Sequence, residues 1–257
     1  MIEVERISKV FELSKQQQKE NNLSEKTAVA VNDLSFTCEP GRIFSLLGPN
    51  GAGKTTTLRM LAGILSPSSG RIKINDVDMD KEPYVAKRHI GFLTGSTGLY
   101  ERLTPNEIID YFGRLYGVAE EDLDQRKSEL YTLLDMHDFQ HKRIGRLSTG
   151  MKQKVSICRT MIHNPDVVIF DEPTSGLDVI TAENIIALIK DCKTKNKTVI
   201  FSSHIMSEVD LLCDDLAIIH KGELIFNDTL QQFRNQMVAE NLTAEFIRII
   251  NEYKKAS

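Results

Sequence analysis

The stretch Gly48-Pro49-Asn50-Gly51-Ala52-Gly53-Lys54-Thr55 constrains this chain more than any other. It fits the pattern G-x-x-x-x-G-K-[ST], and its surroundings suit it. The apolar run Ile43–Leu47 leads in as a short buried strand, and a helical face of Leu58, Leu61, Ala62 and Leu65 leads out. Glycines let the backbone curl so that successive N–H groups face one anion, and the N-terminus of the following helix adds positive potential. Such a loop cradles a triphosphate. In it Lys54 reaches the β- and γ-phosphates and the Thr55 hydroxyl ligates Mg2+, with Gly48, Pro49, Asn50, Gly51, Ala52, Gly53 and Thr56 completing the cradle.

Around this loop the chain alternates strands and helices. Residues 2–11 and 28–36 read as strands, separated by a polar stretch from Ser14 to Lys26 that reads as a solvated loop or hairpin tip. Further strands are expected at 71–74, 89–93, 167–170, 198–201 and 216–220, and a helix bearing Ile185, Leu188 and Ile189 lies between two of them. Residues 94–164 read as helical, with Ile108, Phe112, Leu115 and Tyr116 on one face and Met151, Val155, Cys158 and Ile162 on another. The tail from Gln231 to Lys255 also reads as helical, and no internal repeat is present. The pattern predicts an α/β P-loop NTPase fold: a mostly parallel sheet core, an antiparallel β subdomain and an inserted α-helical subdomain. The whole chain, 1–257, reads as one domain: 1–93 and 165–230 form the core, 94–164 the helical insert and 231–257 a helical tail.

A second site follows from Val167-Val168-Ile169-Phe170-Asp171-Glu172, a buried-strand run ending in two acids. Open α/β sheets bind ligands at the C-terminal ends of their strands. There Asp171 would hold Mg2+, directly or through water, and Glu172 would polarise the attacking water as general base. Leu147-Ser148-Thr149-Gly150-Met151 opens a helix shortly before it. Alone this is an ordinary N-cap, but a helix start with a hydroxyl also binds anions. One chain already surrounds the phosphates with its own loop, so a second such site points to a γ-phosphate supplied by another copy.

Leu147 to Lys154 resembles the signature motif of ABC ATPases, usually LSGGQ. Pro173-Thr174-Ser175-Gly176-Leu177-Asp178 resembles the family's D-loop, and His204, just past a strand, its switch histidine. The motifs stand in the family's order, and the similarity runs from Ile2 to about Asp228. It implies ATP and Mg2+ as cofactors and a head-to-tail dimer, either a homodimer or a pairing with a second ABC subunit. Two ATPs would then lie between the phosphate loop and the Ser148-Thr149-Gly150 helix start, with Asp178 nearby. It implies that His204 contacts the γ-phosphate and that Phe11 stacks on adenine. By themselves these two are a strand-end histidine and a packed strand residue. Two departures stand out. Gly95, with Ser96 and Thr97 after it, occupies the place of the family's metal-contacting glutamine, and Thr149 and Met151 replace a signature Gly and Gln. Thr94 to Tyr100, Gly113 to Gly117 and Ser202 to Met206 look like the ATPase subunits of sodium-extruding bacterial exporters.

Composition narrows the class. The net charge of −4 argues against nucleic acid as a partner. The cysteines Cys38, Cys158, Cys192 and Cys213 form no paired motif and read as buried reduced thiols. The charged start Met1-Ile2-Glu3-Val4-Glu5-Arg6 is unlike a signal peptide, and no apolar run approaches the ~20 residues that span a bilayer. The expectation is an ATP-hydrolysing subunit at the cytoplasmic face of the cell membrane, held there by integral membrane permease subunits. The alternatives are a soluble ABC ATPase acting outside transport and a nucleotide-gated regulator.

Overall fold

Four strands are buried at nearly every position, which is the mark of a sheet covered on both faces. They are β3 (Ile43–Leu47), β7 (Val167–Asp171), β8 (Thr198–Ser203) and β9 (Asp215–His220). The computed structural model, which describes residues 1–14, 26–94 and 98–256, joins them in a six-stranded sheet. Its order is β10-β9-β3-β8-β7-β6, with β6 at Ile90–Leu93 and β10 at Glu223–Thr229. All neighbours run parallel except β10, which pairs antiparallel with β9.

Side chains alternate across a strand, and here the alternation divides the core in two. Ile43, Leu47, Val168, Phe170, Val199, Phe201, Leu216 and Ile218 point to one face. Phe44, Leu46, Val167, Ile169, Ile200, Ala217 and Ile219 point to the other. The first face packs against a helical layer: α3 (Pro105–Leu115), α4 (Glu120–Leu133), α5 (Thr149–Met161), α6 (Val179–Thr194) and α7 (Met206–Leu212). The second is covered by α1 (Lys54–Leu61) and an antiparallel sheet, β2-β1-β4-β5. That sheet comprises β1 (Ile2–Glu12), β2 (Thr27–Cys38), β4 (Ser69–Ile74) and β5 (Val77–Asp78). A short helix, α2 (Pro83–Arg88), links β5 to β6.

The α/β class and the antiparallel sheet match expectation, and the helices α3 to α5 occupy the chain between β6 and β7. All four cysteines are free and buried, as the sequence indicated. No helix among the described residues is long and apolar enough to cross a membrane. Some local readings need correction. The tail forms two helices, α8 (Leu230–Gln236) and α9 (Leu242–Ala256), and β10 was not anticipated. Helix α1 stops at Leu61, so Leu65 packs from the following turn. Leu115 and Tyr116 are 64% and 46% exposed, whereas Ile108, Ile109 and Gly113 are buried. The polar stretch from Ser14 to Lys26 lies outside the described residues apart from its two ends, and Gly95, Ser96 and Thr97 lie wholly outside them.

Candidate functional site

Parallel strands that end together put their following loops side by side. Leu47 at the end of β3 pairs with Ser203 of β8, and Asp171 at the end of β7 pairs with Ser202. The phosphate loop, the two acids and His204 therefore gather at one edge of the sheet.

The loop's shape rests on glycines at two close approaches. A Cβ at Gly48 would stand 2.3 Å from the Ile219 carbonyl oxygen. Gly53 sits at φ +107°, where a Cβ would lie 2.5 Å from the Ala30 carbonyl oxygen. Gly53 also precedes α1 without a side-chain cap, so the first-turn N–H groups of that helix are left for a ligand. The loop opens onto a cavity of about 320 Å³ lined by Ala30, Asn50 to Thr56 and Glu172.

Lys54 is 5% exposed, and its Nζ donates to the carbonyls of Gly48 at 2.7 Å and Pro49 at 3.2 Å. Burial pushes its ammonium below the ordinary lysine value, and the carboxylates of Glu172 and Asp171 oppose that shift. Glu172 Oε1 lies 3.9 Å from Lys54 Nζ and 3.4 Å from His204 Nδ1. The Thr55 hydroxyl donates to Asp171 Oδ1 at 3.2 Å. These two oxygen donors, a hydroxyl and a carboxylate, suit a hard cation of the Mg2+ type. Such an ion takes few protein ligands and fills its shell with water and phosphate oxygens. The described residues hold no cluster of three or more His, Cys, Asp or Glu that could cage a metal by itself.

Ser202 is a site residue that sequence inspection passed over. Fully buried, it donates from Oγ to Asp171 Oδ1 at 2.7 Å and accepts the Glu172 N–H at 3.0 Å. It thus orients both acids at once. Glu172 itself takes the left-handed backbone region, φ +49°.

The 145 residues from 31 to 175 match the family model described as ABC transporter. The chain belongs to the ABC transporter family. It is 44% identical to the ABC transporter ATP-binding protein NatA of Bacillus subtilis, over 86% of this chain and 91% of NatA. A solved ATP-binding subunit of an ABC transporter superposes with TM-score 0.84 at 26% identity, covering 97% of this chain and 99% of that one. A dimeric ATP-binding cassette in a post-hydrolysis state with ADP and Pi shares the fold at TM-score 0.78 and 22% identity, over 90% of this chain and 99% of that one. This chain is thus an ATP-binding subunit of an ABC transporter, and an ATPase.

Other residues singled out as ABC motifs lie apart from the phosphate cavity. Ser148 caps α5 and accepts the Met151 N–H at 3.2 Å. The Gly150 position faces the start of α6, where an added Cβ would come within 3.4 Å of Asp178 Oδ2. Asp178 caps α6, accepting the Thr181 N–H at 2.9 Å and the Thr181 hydroxyl at 2.8 Å. Those bonds hold its carboxyl below the usual carboxylate range. Phe11 is 37% exposed near the end of β1, with Lys9 Nζ 5.4 Å from its ring centre. None of Phe11, Ser148, Thr149, Gly150 or Asp178 lines the 320 Å³ cavity.

Proposed function

We propose that this ABC ATPase subunit binds Mg-ATP at its phosphate loop, closes on the signature helix of a second subunit, and hydrolyses the γ-phosphate through Glu172 to drive an exporter at the cytoplasmic face of the cell membrane. The observation that carries the hydrolytic reading is the convergence of Lys54, His204 and Ser202 on the two adjacent acids.

Each residue has a task set by its surroundings. Lys54 uses two of its three donors on loop carbonyls, which aims the ammonium at the β/γ-phosphate position. Thr55 and Asp171 would hold Mg2+, which neutralises charge developing on the phosphate oxygens. Glu172 accepts a proton from the attacking water. His204, 51% exposed in its side chain and 3.4 Å from Glu172 Oε1, would contact the γ-phosphate and keep the water in line with the base. Ser148, at an uncovered helix start in its own chain, meets the γ-phosphate of the opposing subunit. Phe11 supports the adenine.

The local motifs shared with sodium-extruding exporters, at Gly113 to Gly117 and Ser202 to Met206 among them, support sodium efflux as the transported function. The membrane subunits would dock against the helical block that includes α3.

The experiment is steady-state phosphate release from wild type and Glu172→Gln. A positioned general base contributes roughly 10²- to 10⁴-fold, so the variant should fall by at least roughly 10². Equal rates would remove Glu172 as the base. With ATP, Glu172→Gln should elute as a dimer in gel filtration, and Glu172→Gln with Ser148→Ala as a monomer. ATP-dependent sodium uptake into inverted vesicles holding this subunit with its permease tests the substrate. ATPase activity without sodium movement would reject it.

A further inference from the structure

One buried carboxylate ties together the two loops that carry the acid and the histidine. Glu208 lies in α7 and is 8% exposed. Its Oε2 accepts from the Ser203 hydroxyl at 2.9 Å, and its Oε1 accepts from the Thr174 hydroxyl at 2.5 Å. Both partners are buried, Thr174 at 6% and Ser203 at 2% exposure. Ser203 immediately precedes His204. Its Oγ also accepts the Ile205 N–H at 3.0 Å, so the histidine is bracketed on both sides by one hydroxyl. Thr174 stands two residues beyond Glu172, in the segment that runs on to Asp178. The Leu177 N–H donates to the Thr174 carbonyl at 3.2 Å, which carries the constraint along that segment. Gln153 of α5 donates to the Pro173 carbonyl at 3.1 Å and so also braces this loop.

We infer that Glu208 is a positioning residue for hydrolysis: its two hydroxyl bonds hold the His204 segment and the loop after Glu172 at the spacing that sets His204 Nδ1 beside Glu172 Oε1. A buried carboxylate needs hydrogen-bond partners, and each Glu208 oxygen accepts one hydroxyl, one from each loop. Neither bond touches the phosphate loop. Loss of Glu208 therefore disturbs the alignment of base and histidine while leaving the nucleotide cradle intact. Misplacing a reacting group by about 1 Å lowers rate by roughly 10²-fold.

This inference rests on the hydrolase reading above, and its test separates the two. For Glu208→Ala, kcat should fall by roughly 10- to 100-fold, with the KM and binding affinity for Mg-ATP within roughly twofold of wild type. Glu208→Gln should recover most of the rate, because its amide offers one acceptor and a donor that a hydroxyl can accept. Hydrogen–deuterium exchange on the nucleotide-free protein gives a readout independent of turnover. Exchange in Glu208→Ala should quicken together in residues 172–178 and 203–206 and stay unchanged in residues 48–56. If the alanine variant fails to fold, Thr174→Val removes one of the two bonds to Glu208, and Ser203→Ala removes the other together with the Ile205 N–H bond; each should lower kcat without altering nucleotide affinity. Wild-type kcat in a folded Glu208→Ala protein overturns the inference, as does parallel loss of affinity and rate, or faster exchange confined to α7. An active Glu172→Gln control would instead overturn the hydrolase reading.

Discussion

Two serines on neighbouring strands, changed in the same way, should respond with opposite signs. Ser45 and Ser202 are both completely buried, in β3 and β8, which run side by side. Ser202 Oγ donates to the Asp171 carboxylate at 2.7 Å and accepts the Glu172 N–H at 3.0 Å. Ser45 Oγ has no hydrogen-bond partner among the described residues. A bond to a charged group contributes about 1.5–3 kcal/mol net, and the N–H keeps the Ser202 carbonyl at 3.2 Å as a second acceptor. Ser202→Ala should therefore destabilise by about 2–3 kcal/mol. At about 2–4 °C per kcal/mol for a chain of this size, Tm falls by about 4–12 °C. Ser45→Ala removes a hydroxyl that had lost its water without a replacement. It should leave stability unchanged or raise it by about 1 kcal/mol. Calorimetry or denaturant titration of the nucleotide-free protein reads both. Ser202→Ala should also slow ATP turnover roughly tenfold or more, each 1.4 kcal/mol of lost alignment being a factor of ten. Variants within about 1 kcal/mol of each other would show that the bonds to Asp171 and Glu172 contribute little, and the argument for Ser202 would fail.

Two further outcomes follow from the site and its surroundings. Lys54→Ala should abolish ATP binding or turnover in a folded protein, checked by calorimetric titration beside circular dichroism; unchanged ATPase activity would defeat the phosphate-loop assignment. His163 should make the protein acid-sensitive. Burial pushes its imidazole down to about 4, with Lys197 and Arg126 adding to the effect against the Ile90 carbonyl. The unfolded chain takes up that proton near 6.5, so stability is lost as pH falls from about 6.5 toward 4. His163→Gln should flatten the decline in the urea midpoint over that window, and an unchanged slope would assign the decline to other groups.

The parts of the site that the sequence displayed are those whose chemistry is local. The phosphate loop, its lysine and the following helix form one contiguous stretch, and Asp171-Glu172 ends an unbroken apolar run. Ser202 and Glu208 carried no such signal. A serine inside a buried strand and a glutamate in a short helix are unremarkable until strand register sets Ser202 opposite Asp171 and the fold brings Thr174 to Glu208. Ala30 enters the site from the antiparallel sheet, through a carbonyl that no sequence pattern marks. The misjudged face of α3 has a steric cause. Gly113 admits Leu123 so closely that a Cβ there would stand 2.4 Å from Leu123 Cδ1, which turns the helix onto Ile108, Ile109 and Gly113. Leu115 is left outward, and Tyr116 stacks on His163 with ring centres 4.0 Å apart. Strand β10 escaped notice because it is only partly buried and lacks clean alternation.

The left-handed backbone at Glu172 has an evolutionary consequence. A non-glycine residue held at positive φ carries a penalty of about 1–2 kcal/mol, so the proposed base occupies a place that glycine or asparagine would fill with less strain. Mutations that delete the acid in favour of those residues are expected to yield chains at least as robust as the original. Quality-control proteolysis, which removes unstable proteins, would not weed them out. If Glu172 is the base, as proposed, such chains would persist without hydrolysing ATP and compete for assembly with working subunits.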